Sequence, residues 1–316
     1  MFQLLVLSQS AFYTKAEERG FLSWMKETSN MFTGEEYYLR LGIWLQNKRY
    51  VQEFNAQGHR YQISLNKFAH LTPTEYRSLL GYNPKYRKAE SAYYKAHGDL
   101  PEEVDWREKG VVNPIQEQGM CGSCWAHSTL QAQESQWAIK RNELYLLSAW
   151  ELVDCCKFCY GCNGGDMHDA VRFTILNHEG HFMLLSDYPR IYQYCEFDVK
   201  KGVTTITGTE DVAPNDEEGL EAIVAERGPA VVGVDSSPLN WQLYKIGIYD
   251  DPKCSSTDLN HGVGVVGYGA DKQWDEKYWI IRNSFGADWG ESGYMRLARG
   301  KNRCGVAVTA FVPKIE

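Results

Sequence analysis

The sequence has no apolar run that approaches the length of about 20 residues needed to span a membrane. Its N-terminal apolar stretch, Phe2 to Leu7, is short and follows no lysine or arginine, so a secretory signal there is weak or absent. The stretch is a minimal signal, a truncated start or simply the first buried segment of the chain. Basic residues are also fewer than acidic ones, with 33 Lys and Arg against 41 Asp and Glu. This excess of acidic charge argues against nucleic acid as a partner.

Cysteine, by contrast, is plentiful. Nine cysteines indicate disulfides, and hence a lysosomal, vesicular or secreted protein. The cluster Cys155-Cys156-x2-Cys159-x2-Cys162 also has the spacing of zinc or iron–sulfur ligands. Because spacing alone does not determine disulfide connectivity, both interpretations stay open at this point.

Residues 118–125, Gln-Gly-Met-Cys-Gly-Ser-Cys-Trp, are the most informative segment. Cys124 stands at a predicted helix N-terminus, where unpaired backbone N–H groups and the helix dipole stabilise a thiolate. The thiolate is the nucleophilic form of cysteine. Gln118, six residues earlier, supplies an amide donor. A lone cysteine is more often buried or disulfide-bonded, so the interpretation depends on residues further along the chain.

His261 precedes an apolar run and Asn283 follows another. A cysteine nucleophile needs a base to take its proton and a third group to orient that base. An amide oxygen of Asn283 can accept the imidazole N–H of His261 while the other ring nitrogen faces the sulfur. Cys124 and His261 are therefore expected to rest as a thiolate–imidazolium pair. The separation of 137 residues between Cys124 and His261, and the C-G-S-C-W run, match the pattern of papain-type enzymes.

On these residues the chain resembles the papain family, and its cathepsin L-like branch in particular, over nearly all of its length. The resemblance implies a cysteine endopeptidase made as an autoinhibited zymogen, with residues 1–99 as inhibitory propeptide and residues 100–316 as the peptidase. Two propeptide motifs support this: Glu36, Arg40, Trp44, Asn47, Val51 and Asn55, followed by Ser64, Asn66, Phe68 and His70. Residues 1–99 show helical spacing without a core of their own, and the alternative to a propeptide is a small independent helical domain of unrelated function.

Charge changes at the same boundary. Residues 1–99 hold 13 basic and 9 acidic residues, and residues 100–316 hold 20 and 32. Opposite net charges favour docking of the two parts; the alternative is that the acidic charge of residues 100–316 serves solubility alone.

Helices are predicted first and strands second, which defines an α+β protein. The helices start at Cys124, at a capping box Ser148-x-x-Glu151 and at Asp166. The strands cover residues 230–234, 263–268, 278–282, 293–297 and 306–312. The resembled fold has a helical left lobe and a β-barrel-like right lobe, with the site in the groove between them.

The resemblance further implies disulfides Cys121–Cys162, Cys155–Cys195 and Cys254–Cys304, while Cys156 and Cys159 bond to each other or stay reduced. It implies no metal and no cofactor. The implied substrate-binding residues are Gly164, Gly165, Met167, Ala170, Gly233, Leu259, Thr309 and Trp289. Their apolar pocket predicts Leu, Phe or Val as the second residue upstream of the cut, and Trp289 is expected to shield the His261–Asn283 hydrogen bond.

Besides Trp44, Val51, Ser64 and His70 of the propeptide motifs, three positions near the implied site depart from the family pattern. Asp166 is predicted to cap a helix or to favour a basic group at the rim of the pocket. His127 is a buried core histidine or a pH-sensitive group. Phe285 replaces a tryptophan.

The resemblance implies a monomer whose partners are polypeptide substrates, the chain's own propeptide and cystatin-like inhibitors. A non-catalytic binding module and a metal or redox protein are the competing functions, and neither explains Cys124, His261 and Asn283 together.

Overall fold

The computed structural model describes residues 13–85 and 93–315. The apolar stretch Phe2 to Leu7 therefore lies outside the described residues, as does part of the polar linker predicted over residues 83–99. No helix among the described residues is both long enough and apolar enough to cross a membrane.

The N-terminal segment is helical, as its sequence predicts. Its elements are α1 Lys15–Glu27, α2 Gly34–Ala56, β1 Tyr61–Ile63 and α3 Pro73–Arg77. Thr72 and Glu75 form the predicted capping box, in which each side chain bonds the backbone N–H of the other. Thr14 and Glu17 form a second box that starts α1.

These helices share an aromatic core, which the sequence did not predict. Phe21 and Trp24 of α1 meet Trp44 of α2 at ring-centroid distances of 5.6 and 6.4 Å. All three side chains are at most 5% exposed. The core was missed because it forms between two helices, whereas periodicity reports on one helix at a time. Arg40 ties α2 to α3 through two 2.7 Å bonds to the Glu75 carboxylate.

The remaining helices precede or flank the strands, in the predicted α+β arrangement. They are α4 Cys124–Arg141, α5 Ala149–Cys155, α6 Met167–Asn177, α7 Glu217–Glu226 and α8 Leu239–Gln242. Short 3₁₀ turns cover Trp106–Lys109, Gly161–Asn163, Val199–Lys201 and Arg303–Gly305. Helix α4 is buried at every residue from 124 to 136 because it lies between α5 and α6 on one side and the strands on the other.

The capping box predicted at Ser148 is only half formed. Ser148 Oγ accepts the N–H of Glu151 at 3.4 Å. The fully buried Glu151 carboxylate instead accepts the N–H of Met183 at 2.8 Å and bonds His178 Nδ1 at 2.9 Å. Glu151 therefore joins α5 to the chain after α6, and these tertiary partners replace the local cap.

One large sheet carries most strands. Its strands after β1 are β2 Val104–Asp105, β5 Gly208–Asp211, β6 Ala230–Val234, β7 Tyr244–Tyr249, β8 His261–Asp271, β9 Glu276–Arg282, β10 Tyr294–Ala298 and β11 Ala310–Lys314. The order is β1-β7-β10-β9-β8-β6-β11-β5, with β2 beside β8. Strands β3 His181–Met183 and β4 Gly202–Thr205 form a separate pair.

Two features of this sheet bear on the expected lobes. Within the described residues the strand path ends at β1 and β5, so the right lobe is an open sheet rather than a closed barrel. Strand β1 pairs antiparallel with β7, with Tyr61 opposite Gly247. The N-terminal segment therefore docks by adding an edge strand to the sheet of the second part.

Four disulfides are present: Cys121–Cys162, Cys155–Cys195, Cys156–Cys159 and Cys254–Cys304. Cys156 and Cys159, whose state was open, are thus joined to each other. All four sulfurs of the cluster at residues 155–162 are in disulfides, so none is a thiolate and the zinc or iron–sulfur interpretation has no ligands. The same holds for the group of Cys155, His178 and Cys195, where both sulfurs share one bond.

Candidate active site

Cys124 is the free thiol of the described residues and begins helix α4, after Ser123. It is fully buried. Its sulfur receives backbone N–H groups from Trp125 in the first turn of the helix, from Gly262 beside His261, and from Gly81 of the N-terminal segment. The thiol therefore lies at the helix start predicted for this residue, and an amide of the N-terminal segment covers it.

His261, the first residue of β8, is oriented by an amide. Its Nε2 lies 2.8 Å from Asn283 Oδ1, which also accepts the N–H of Ser284 at 2.8 Å. Because the amide oxygen of Asn283 can only accept, Nε2 of His261 must carry the hydrogen. Nδ1 is therefore the basic nitrogen of the ring. Among the described residues Nδ1 hydrogen-bonds to nothing, the Cys124 sulfur included.

Burial decides the charge state of this pair while the segment covers it. Desolvation raises the pKa of the Cys124 thiol to about 11, against the lowering effect of the backbone N–H groups. Desolvation likewise lowers the pKa of His261 to about 4, although the bond to Asn283 acts in the opposite sense. The covered state therefore favours neutral thiol and neutral imidazole, rather than the ion pair expected from the sequence.

Phe285 covers the imidazole. Its ring stacks on His261 at a centroid distance of 4.9 Å. Trp289 packs edge-on behind Phe285 at 5.7 Å, is fully buried, and donates its indole N–H to the Gln242 carbonyl. Phe68 of the N-terminal segment contacts the other side of Phe285 at 5.1 Å. The structure thus gives Phe285 the shielding position that was expected for Trp289.

Gln118 points its amide toward the same groove. Its Nε2 donates to the carbonyls of Leu79 and Cys121, each at 2.8 Å. Its Oε1 accepts the Ser284 hydroxyl at 2.7 Å. Ser284 therefore orients Gln118 through its side chain and Asn283 through its backbone. Sequence reasoning passed over Ser284, and its place directly after Asn283 was the one available signal.

The N-terminal segment crosses the groove as an extended chain. Gly165 N–H donates to Gly81 O at 2.8 Å, and Asn83 N–H donates to Gly165 O at 2.9 Å. On the opposite wall, Tyr82 N–H donates to Asn260 O at 3.0 Å. A Cβ on Gly164, which has φ +112°, would lie 2.7 Å from Gly81 O, so glycine is needed for this close approach.

Tyr82 fills the predicted pocket. The ring is only 3% exposed and belongs to the same buried cluster as Met167, Ala170 and Leu259. A Cβ on Gly233 would lie 2.4 Å from the ring, so this wall also requires glycine. Thr309 is half-buried, and its carbonyl accepts the Gly233 N–H at 3.1 Å.

The other two unusual positions have local partners. Asp166 caps α6 by accepting the N–H groups of His168 and Asp169, each at 3.0 Å, as one of its two predicted roles required. His127 is buried, with Nδ1 at 3.1 Å from the Ser123 carbonyl and its ring edge-on to Trp150. Burial lowers the pKa of His127 to about 4.

An extended peptide backbone occupies the groove and is hydrogen-bonded over a free thiol. This arrangement is that of a thiol-dependent peptidase in its covered, zymogen form. The family model for papain family cysteine proteases matches residues 100–314, and that for the cathepsin propeptide inhibitor domain matches residues 21–76. The chain belongs to the papain family of cysteine proteases, which confirms the family and fold predicted from its motifs.

Similar proteins cover the whole arrangement. The chain is 36% identical to cathepsin L2 of Homo sapiens, over 92% of this chain and 91% of that protein. It is 37% identical to digestive cysteine proteinase 1 of Homarus americanus, over 89% of each. The solved digestive procathepsin L 3 of Tenebrio molitor larval midgut superposes with a TM-score of 0.86 at 33% identity, over 96% of this chain and all of that one. The branch is therefore cathepsin L-like, and the chain is a cysteine protease with its propeptide.

Proposed function

We propose that residues 100–316 form the peptidase and residues 1–99 its inhibitor, with Cys124 as nucleophile and His261 as its acid–base partner. Asn283 orients the imidazole, and Gln118 with the Cys124 backbone N–H stabilises the oxyanion. The observation that carries this assignment is the propeptide backbone laid over the thiol, with the Leu79 carbonyl already bound to the Gln118 amide.

The reaction follows from these groups. Removal of the propeptide admits water to the pair, which permits the proton of Cys124 to move to His261 Nδ1. The sulfur attacks the peptide carbonyl carbon, the C–N bond breaks, and His261 returns the proton to the leaving amine. Water then attacks the thioester with His261 taking its proton, so that the acid is released and the thiol restored.

Chain direction explains why the propeptide is not itself cut. The proposed pocket takes a residue upstream of the scissile bond, so a substrate passes the pocket before it reaches the sulfur. The propeptide reaches Cys124 with Gly81 and enters the pocket only afterwards, with Tyr82. It therefore runs opposite to a productive substrate and presents no carbonyl in the correct geometry.

The finer assignments follow from the same groove. Apolar residues such as Leu, Phe or Val should occupy the pocket of Met167, Ala170, Gly233, Leu259 and Thr309, with Gly164 and Gly165 pairing the substrate backbone. A lysosomal, vesicular or secreted site, a monomeric state and inhibition by cystatin-like proteins complete the proposal.

The test is a fluorogenic peptide with Phe or Leu next to Arg, together with a thiol-directed epoxide, on enzyme matured from the full-length chain. Cys124→Ala should abolish both hydrolysis and labelling, with circular dichroism unchanged. Hydrolysis retained by this variant would rule out the mechanism. The N-terminal residue of the acid-matured enzyme tests the boundary near residue 100.

A further inference from the structure

A basic side chain of the propeptide is held at the outer end of the groove. Lys85 lies three residues beyond Tyr82, the pocket residue. Its Nζ is 2.5 Å from Asp169 Oδ2 and 3.3 Å from the Phe158 carbonyl, and it stands 6.0 Å from the centre of the Tyr160 ring. A carboxylate, a carbonyl and an aromatic face together form a receptor for a cation.

The carboxylate of this receptor is built into the fold. Asp169 occupies the first turn of α6, and its side chain is 6% exposed, against 45% for Lys85. Asp166, at the cap of the same helix, accepts the N–H of Asp169 at 3.0 Å and the backbone N–H of Lys85 at 3.2 Å. Carboxylates at a helix N-terminus are stabilised in their ionised form by the helix dipole.

The receptor is continuous with the proposed substrate groove. Helix α6 also supplies Met167 and Ala170 to the cluster that holds Tyr82, and Gly165 immediately before it pairs with the propeptide backbone. When the propeptide leaves, Asp169 loses the ammonium of Lys85. The Asp169 carboxylate, the Phe158 carbonyl and the Tyr160 ring all belong to the enzyme and stay behind, so the emptied receptor keeps the groups that bind a cation.

We propose that Asp169, with Asp166 and the Tyr160 ring, forms a subsite for a lysine or arginine side chain of the substrate, which Lys85 occupies in the zymogen. Lys85 lies three residues beyond the pocket residue, and three extended residues span about 10 Å, so the subsite takes a residue one to three positions upstream of the pocket residue, that is, the third to the fifth residue upstream of the cut. This specificity rests on the proposed peptidase function and adds a charge preference to its apolar pocket.

The test compares matched peptides cleaved by enzyme matured from the full-length chain. Each carries Leu in the pocket position and either Lys, Arg, norleucine or Glu at the third, the fourth or the fifth position upstream of the cut. Hydrogen bonds to charged groups predict a kcat/KM about 10- to 100-fold higher for Lys or Arg than for norleucine at one of these positions. Lysine placed at the seventh position upstream, two residues beyond this range, should give no such gain, which separates the subsite from general attraction to an acidic enzyme.

The variant Asp169→Asn should reduce the ratio of kcat/KM for the Lys peptide to that for the norleucine peptide to within about two-fold of unity. Asp216→Asn, the same change at the cap of the distant helix α7, is the matched control and should keep the wild-type ratio. Equal cleavage of Lys and norleucine peptides by the wild-type enzyme, or a ratio retained in Asp169→Asn, would overturn the proposal. An enzyme that cleaves none of the peptides and resists the epoxide would instead refute the proposed function.

Discussion

Replacing Tyr82 by alanine should open the zymogen. Tyr82 is the propeptide side chain buried in the proposed substrate pocket, at 3% exposure, against the backbone of Gly233. Truncation of a buried aromatic residue to alanine costs about 3–5 kcal/mol, and 3 kcal/mol corresponds to roughly a 100-fold change in an equilibrium. The fraction of uncovered zymogen should therefore rise about 100-fold while the enzyme itself is unchanged.

The measurement is the rate at which a thiol-directed epoxide alkylates Cys124 in uncleaved zymogen at neutral pH, with chain length followed on a gel. Tyr93→Ala is the matched control, because Tyr93 belongs to the same propeptide and is 38% exposed. Tyr82→Phe keeps the ring and should therefore be labelled much more slowly than Tyr82→Ala. If Tyr82→Ala is labelled no faster than Tyr93→Ala, the pocket contact does not hold the propeptide in place.

The remaining predictions concern catalysis and pH. Gln118→Ala should lower kcat about 10²–10³-fold. Ser284 only orients that amide, so Ser284→Ala should lower kcat roughly 5-fold without changing the pH profile. Steady-state kinetics measure both losses, and equal losses would contradict this ranking. The Arg40 bond lowers the pKa of Glu75 to about 2 from 4.5, so Glu75 stabilises the fold above pH 4.5 and this contribution is lost as pH falls toward 2. Thermal unfolding should therefore be compared between the Cys124→Ala zymogen and the same zymogen carrying Glu75→Gln as well. The Tm of the double variant should fall less on acidification, and an equal fall in both proteins would refute the linkage. His127→Phe should leave the pH–rate profile superimposable on that of the parent, because burial keeps this histidine neutral above about pH 4; a shifted profile would assign it an electrostatic role.

Electrostatic docking of the propeptide has a structural basis. Ion pairs between the described propeptide residues and the enzyme place the basic group on the propeptide each time: Arg60–Glu276, Lys67–Glu117, Lys67–Asp288, Lys85–Asp169 and His97–Glu226. Glu226 has its pKa lowered to about 2, chiefly by the Tyr94 hydroxyl. Its contribution to docking is therefore present above pH 4.5 and is lost as the pH falls from 4.5 toward 2, in the direction needed for release by acid.

Local pattern determined much of this protein. Three helix starts could be predicted from the sequence because each depends on neighbours within one helical turn. They are the start of α4 at Cys124, the cap of α6 at Asp166 and the capping box at Thr72. Strand β6 matches its predicted bounds, Ala230–Val234, because a β-branched run is likewise a local signal. The motif residues also sufficed to identify the family.

Only the tertiary structure decided which distant side chains meet. Ser284 hydrogen-bonds to Gln118, 166 positions earlier in the chain. Glu151 hydrogen-bonds to His178 and Met183 instead of completing its own helix cap. Lys85 hydrogen-bonds to Asp169. The charge state of Cys124 and His261 belongs here too, because it depends on how completely the propeptide excludes water. Periodicity and capping act over a few residues, whereas burial and hydrogen-bond partners are set by packing between segments that the sequence keeps far apart.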